Sequence, residues 1–239
     1  MTGPDGSSGA PLARRTHALA GVPLLASLSA GDLERLAHLA HERVAASGEV
    51  LFRQGDPGET MLIVLAGELR ASISGAEGRE QILRRLGPGD VVGEIALIDA
   101  RPRSADVHAV TRARLLVLER RAVLEELARD SALALALLRL LCERLRATSA
   151  ALEALLFYDS GTRLAAVLLQ LSGGREGAHV DLTQSELGEI VGVARETVNK
   201  KLREWEKAGL IALSPGRVVV KMLSRLAALL PDDAARSGF

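Results

Sequence analysis

Residues 183–205 read TQSELGEIVGVARETVNKKLREW. Thr183 and Glu186 have the spacing of a capping box, in which a hydroxyl and a carboxylate reciprocally satisfy backbone donors at a helix start. Leu187, Ile190 and Val191 give that helix an apolar face, and Gly192 supplies a turn that glycine makes without strain. In the helix that follows, Val198, Leu202 and Trp205 form the face to be buried, while Arg195, Glu196, Thr197, Asn199 and Lys200 belong to its polar part. Arginine can grip the two acceptors of guanine and glutamate can accept from the cytosine amino group, so this is the pattern of a helix lying in the major groove of double-stranded DNA. Thr183, Gln184 and Lys201 join the candidate DNA contacts, with Lys201 and Lys207 suited to phosphates. Residues 211–220, IALSPGRVVV, read as a hairpin wing. The alternative is an ordinary exposed helix carrying a Glu196–Lys200 pair, worth only about 0.2–0.5 kcal/mol. The co-occurrence of cap, glycine turn, polar face and wing favours the DNA reading.

Upstream, residues 93–105 read GEIALIDARPRSA. Gly93 opens a short helical turn whose free N–H groups suit an anion. Arg103 can add a forked, charge-assisted pair and Ser104 a hydroxyl. Glu94 is a poor phosphate ligand but a good acceptor for a ribose hydroxyl, so the set suits a nucleotide whose phosphate and sugar lie close together. Taken alone, Arg103 and Glu94 could equally be a structural ion pair.

This cassette sits in residues 43–119, where short apolar runs alternate with breakers such as Gly48, Gly55-Asp56-Pro57-Gly58, Gly67, Gly75, Gly78 and Gly87-Pro88-Gly89. Such spacing predicts an all-β barrel, roll or sandwich. Residues 120–157 contain neither Pro nor Gly and read as helix. Leu138, Leu141, Leu145, Thr148, Leu152 and Leu155 recur there at intervals of three and four, a heptad seam expected to pair two copies in parallel. Packing of that helix against its own domain is the alternative. Ahead of the β region, residues 24–40 read as a helical lead-in capped by Ser29 or Asp32.

The 239 residues suffice for two modest domains, and with 2% aromatic content the cores must be aliphatic. Net charge is zero, but residues 1–159 hold 19 Arg against 21 Asp/Glu, while residues 160–225 hold 10 Lys/Arg against 7 Asp/Glu and all four lysines. That local basic surplus fits a phosphate-binding face. The single cysteine, Cys142, excludes an intrachain disulfide and an all-cysteine cluster within one chain, and the scattered histidines show no metal-ligand spacing. No apolar run reaches the ~20 residues that span a bilayer, and no signal pattern opens the chain, so no membrane partner and a cytoplasmic location are expected.

Residues 93–105 and 183–205, in this order, resemble the cyclic-AMP receptor protein (CRP/FNR) family of bacterial regulators, over roughly residues 24–222. The resemblance implies an α+β chain: an N-terminal cyclic-nucleotide-binding β-roll, a long dimerisation helix and a C-terminal winged helix-turn-helix. It places a cyclic phosphate on Arg103 and Ser104 and the ribose 2′-hydroxyl on Glu94, with Gly93, Ile95, Ala96 and Ala105 completing the cyclic-nucleotide-binding cassette. Leu83, Leu86 and Val92 match pocket-lining positions, and Arg144 matches a position near the phosphate. Thr148-Ser149 matches a pair that contacts adenine in cyclic-AMP-responsive members, one residue from each subunit; alternatively Thr148 merely fixes helix register.

The implied partners are double-stranded DNA, read as an inverted repeat of TGTGA-like half-sites, a second copy of the chain, and RNA polymerase. Lys200 stands where arginine is usual, Ala194 where a capping serine is common, and Gln184 where some members have a basic residue, so the half-site is open to change. The expected organisation is 1–20 disordered, 21–129 β-roll, 130–158 dimer helix and hinge, 159–226 winged helix-turn-helix and 227–239 tail. The expected effector is cyclic AMP (cAMP). The rivals are cyclic GMP, ligand-independent DNA binding and, from another class, a nucleotide-hydrolysing or nucleotide-regulated enzyme. No P-loop, metal cluster or nucleophile–base motif supports the enzyme, and no catalytic activity is expected.

Overall fold

The computed structural model describes residues 9–26, 28–75 and 80–231. They divide into two compact units: the described residues of Met1–Ile73 and Leu83–Glu143 form the first, those of Ser74–Ile82 and Arg144–Phe239 the second.

The first unit opens with helices α1 (Gly9–Ala20) and α2 (Ala30–Leu39), separated by a 3-10 turn at Pro23–Leu25. Of the two expected caps, Ser29 takes the position and forms a capping box with Asp32. The expectation of disorder over residues 1–20 fails from Gly9 onward, while residues 1–8 lie outside the described residues. The Gly/Ser/Pro composition that motivated it ends at Pro11, and beyond it Leu19 is fully buried. Arg15 Nη1 also donates to the Ala40 carbonyl at 2.6 Å.

Strands β1 (His41–Ala45), β2 (Val50–Phe52), β3 (Thr60–Ala66), β4 (Leu69–Ser74), β5 (Glu80–Leu86), β6 (Val91–Val92), β7 (Asp106–Ala109) and β8 (Ala113–Glu119) follow, with α3 (Glu94–Asp99) between β6 and β7. They form two four-stranded sheets, β1-β8-β3-β6 and β2-β7-β4-β5. β3 pairs antiparallel with β8 from Thr60 opposite Glu119 to Ala66 opposite Arg114. Alternate residues of both strands serve different cores: Leu62, Val64, Leu115 and Val117 pack inside the roll, whereas Met61, Ile63, Leu116 and Leu118 pack with the helices. Burial on both faces is why these strands read as unbroken apolar runs and not as alternation. Each fully buried Leu contributes about 1.5–3 kcal/mol. The Gly87-Pro88-Gly89 breaker becomes a turn in which Asp90 accepts from the Gly87 N–H at 2.8 Å and Gly89 takes φ +89°. Gly78, another expected breaker, lies outside the described residues.

The helical stretch after β8 is broken once. α4 (Arg120–Arg129) ends at Asp130, whose carboxylate accepts from the Ala132 N–H at 2.7 Å, and α5 runs from Ser131 to Phe157. That residue can end one helix and cap another without Pro or Gly.

In the second unit, α6 (Ser160–Leu171), β9 (His179–Val180), α7 (Gln184–Val191), α8 (Arg195–Lys207), β10 (Ile211–Ser214), β11 (Arg217–Val220) and α9 (Leu223–Ala227) surround one core. Leu164, Leu168, Leu187, Val198, Leu202 and Val220 are buried in it. β11 joins β10 and β9 in a three-stranded antiparallel sheet. This is a winged helix-turn-helix, so the α+β class and its expected parts stand. Of the expected tail, residues 232–239 lie outside the described residues.

Candidate functional site

In the first unit the roll brings residues 93–105 together around one side chain. Gly93 caps α3 at φ +89°, and a Cβ there would lie 2.5 Å from Arg103 Nη1 and 2.8 Å from the Thr60 carbonyl oxygen. Torsion and crowding therefore both require glycine. Arg103 is 4% exposed, which is rare for arginine. Its Nη1 donates to the Gly93 carbonyl and its Nη2 to Thr60 Oγ1, each at 3.0 Å. Its guanidinium carbon lies 4.1 Å from the centroid of the Phe52 ring, a cation–π stack. Burial pulls this guanidinium below its ordinary pKa, and the negative charges of Glu94, Asp56 and Glu59 pull it back up. Glu94 is itself buried, at 1% exposure.

The loop after β2 fastens the cassette from below. The Arg103 N–H donates to the Asp56 carbonyl at 2.8 Å, and the Gly55 N–H donates to the Arg103 carbonyl at 2.9 Å. A Cβ on Gly58 would sit 2.3 Å from Ala96 Cβ, so this glycine lets the loop touch α3. Ala96, Leu86 and Val92 are buried, Ala105 is half-buried, and Ser104 and Ile95 are exposed. Leu83 is 54% exposed, whereas Ile82 and Leu86 are buried. Leu83 and Leu86 stand an odd number of residues apart on β5, and strand alternation puts such residues on opposite faces.

Sequence reasoning missed Phe52, Thr60 and Gly58. The signal available was the scarcity of aromatics, which makes Phe52 beside a glycine-rich turn conspicuous.

In the second unit, Thr183 Oγ1 accepts from the Glu186 N–H at 3.2 Å, while Glu186 accepts from the Thr183 N–H at 2.8 Å. The expected capping box is therefore formed. Gly192 ends α7 at φ +77°. A Cβ on Gly188 would lie 2.7 Å from the Val193 carbonyl oxygen, so this second glycine, also missed, lets the turn close tightly. Val198, Leu202 and Trp205 are buried, whereas Arg195, Glu196, Thr197, Asn199 and Lys200 are exposed along α8. Gln184 is half-buried. Lys201 pairs with Glu204 at 2.9 Å, and its side chain passes Gly161 at the start of α6, which sets it apart from the open face. Ala194 provides no side-chain cap, as its chemistry dictates.

On α5, Thr148 and Ser149 are exposed and Arg144 is half-buried. Four leucines of the seam also face solvent: Leu138, Leu145, Leu152 and Leu155 are each at least half exposed. Among the described residues no cluster of His, Cys, Asp and Glu could hold a metal, and no helix is long and apolar enough to cross a membrane.

A roll with a buried arginine–glutamate cassette, joined through a long helix to a winged helix-turn-helix, defines a class: transcription regulators with a nucleotide-binding domain. Residues 42–130 match the cyclic nucleotide-binding domain family, and residues 162–229 match the Crp-like helix-turn-helix domain family. A CRP-like cAMP-activated global transcriptional regulator of Mycobacterium tuberculosis is 35% identical over 187 residues, covering 75% of this chain and 84% of its own. A cyclic AMP receptor protein of Thermus thermophilus is 34% identical over 214 residues, covering 90% and 97%. Among solved structures, the c-di-GMP responsive global regulator CLP of Xanthomonas campestris has a TM-score of 0.73 at 26% identity, covering 81% of this chain and 99% of that one. The Thermus thermophilus catabolite activator protein has a TM-score of 0.53 at 32% identity, with 87% and 97% covered. The chain belongs to the CRP family of transcriptional regulators.

Proposed function

We propose that this regulator is a cytoplasmic homodimer that binds cAMP in the first unit and, when loaded, reads an inverted repeat in double-stranded DNA through Arg195, Glu196, Asn199 and Lys200. The observation that carries the reading is Arg103, a buried cation fixed between Gly93, Thr60 and Phe52 and electrostatically coupled to buried Glu94. A guanidinium held in this way supplies forked donors for a phosphodiester anion, and a neighbouring carboxylate supplies the acceptor for a sugar hydroxyl. The choice of cAMP over other messengers rests on the similarity to cAMP-activated relatives and on Thr148 and Ser149, which the resemblance assigns to the adenine. The seam leucines on α5 support pairing, because apolar area left in water at a heptad spacing is stabilised by a matching helix.

The effector acts by thermodynamic linkage. It favours the DNA-competent arrangement only by its greater affinity for that arrangement, and DNA must then tighten effector binding by the same factor. RNA polymerase is the machinery that such a DNA complex would recruit or obstruct.

The test is a gel-shift titration on a TGTGA-type inverted repeat with cAMP, cyclic GMP, cyclic di-GMP or no ligand. A shift to lower protein concentration with cAMP of at least tenfold is expected. Equal binding in all four conditions would make the protein a ligand-independent regulator, and a larger response to either guanine messenger would reassign the effector.

A further inference from the structure

We propose that Phe52 and Thr60 are positioning residues for Arg103, fixing which edge of its guanidinium meets the cyclic phosphate and hence which exocyclic oxygen the site prefers. The inference rests on reading the first unit as a cyclic-nucleotide site, and adds to it two residues that reach the ligand only through the arginine.

A guanidinium is a flat fork of five N–H donors. Three contacts remove its freedom to turn. The Phe52 ring fixes its plane, the Gly93 carbonyl takes a hydrogen from Nη1, and Thr60 Oγ1 takes one from Nη2. Its Nε is buried and has no hydrogen-bond partner among the described residues. Buried donors are almost always paired, so this one is a donor held ready for an acceptor that arrives later.

The aromatic partner is itself aimed. The register of β2 against β7 shifts between Val50, opposite His108, and Phe52, opposite Val107. Such irregularities redirect a side chain relative to its strand. The loop leaving Phe52 then closes on the Arg103 main chain through the Asp56 and Gly55 bonds, so the ring and the cation it supports are tied together at both ends. Loss of the ring or of the hydroxyl would leave a cation that still attracts an anion but no longer presents a fixed edge.

Calorimetry on the full-length protein tests this with cAMP and its two phosphorothioate diastereomers, in which sulfur replaces one or the other exocyclic oxygen. The wild-type protein is expected to bind cAMP and to favour one diastereomer. Phe52→Leu and Thr60→Val are expected to weaken cAMP binding about tenfold and to flatten that preference to about twofold or less. Phe52→Tyr and Thr60→Ser, which keep ring and hydroxyl, should retain the preference. Thermal melting of each variant separates positioning from folding. Weaker binding with the diastereomer ratio unchanged would make both residues merely structural and overturn the proposal, as would a wild-type protein that treats the diastereomers alike. Absence of cyclic-nucleotide binding by the wild-type protein would instead overturn the reading of the site on which the proposal stands.

Discussion

Arg195 stands at the first position of α8, exposed, with the buried Val198 and Leu202 beneath it fixing the helix face. If Arg195 reads a base by the two-point contact proposed for it, Arg195→Ala should remove about 1–3 kcal/mol of discrimination between the preferred half-site and one with a single base change. Competition binding with paired DNA duplexes measures this. If affinity for both duplexes falls together and the salt dependence drops by about one unit, Arg195 contacts phosphate and not a base. Individual residues were legible in the sequence where their chemistry is uncommon at their position. Arg103 with Glu94 and the Thr183–Glu186 box belong to that group. Phe52 and Thr60 were not, because their role comes from a register irregularity and from a contact between strands distant in sequence. Gly58 and Gly188 likewise act by close approach to backbone or side chain, which a linear reading does not reveal.

At the scale of elements, capping and alternation account for most of what could be read ahead. The β3 and β8 runs signalled strands by length and composition, and α8 signalled its buried side by spacing. The break between α4 and α5 was missed, because Asp130 ends and restarts the helix with none of the usual breaker residues. α6 illustrates how much one cap matters. The Asp159 carboxylate accepts from the Thr162 N–H at 2.7 Å, and this bond, aided by Lys201 nearby, holds its pKa below the usual value. A carboxylate whose pKa is depressed on folding stabilises the native state above its unfolded value of about 3.9 and loses that contribution as pH falls through the native value. Asp159→Ala should therefore cost about 0.5–2 kcal/mol at pH 7, by urea unfolding. The gap from wild type should narrow at pH 3, and Asp159→Asn, which keeps an acceptor but not the charge, should fall between wild type and Asp159→Ala at pH 7. A gap as wide at pH 3 as at pH 7 would show that the charge on Asp159 contributes nothing.

For the whole molecule, the two halves announced themselves by different means: the β-rich part by glycine spacing, the DNA-reading part by its cap, turn and lysines. The start of the first unit did not, because a Gly/Ser/Pro-rich opening masked a helix that Leu19 anchors in the core, with Leu12 and Ala18 packed beside it. The heptad seam was visible as spacing, and its exposure on α5 gives it a use. Leu145, 68% exposed, lies at its middle. Leu145→Glu should turn a dimer into a monomer in light scattering and weaken binding to the full inverted repeat more than tenfold, since two half-sites are no longer engaged together. Leu145→Met should preserve the dimer, because a volume-conserving apolar exchange costs under about 1.5 kcal/mol. A stable Leu145→Glu dimer would place the pairing surface elsewhere.

That leucine strip has a genetic corollary. If subunits pair along it, as proposed, they are shuffled among whatever copies a cell makes, regardless of whether each copy can read DNA. A chain with an intact strip but a ruined α8, made in equal amount beside the normal one, would enter three of every four assemblies. Such an allele would poison the regulator instead of merely halving its supply, and removing the strip from the same allele would render it harmless.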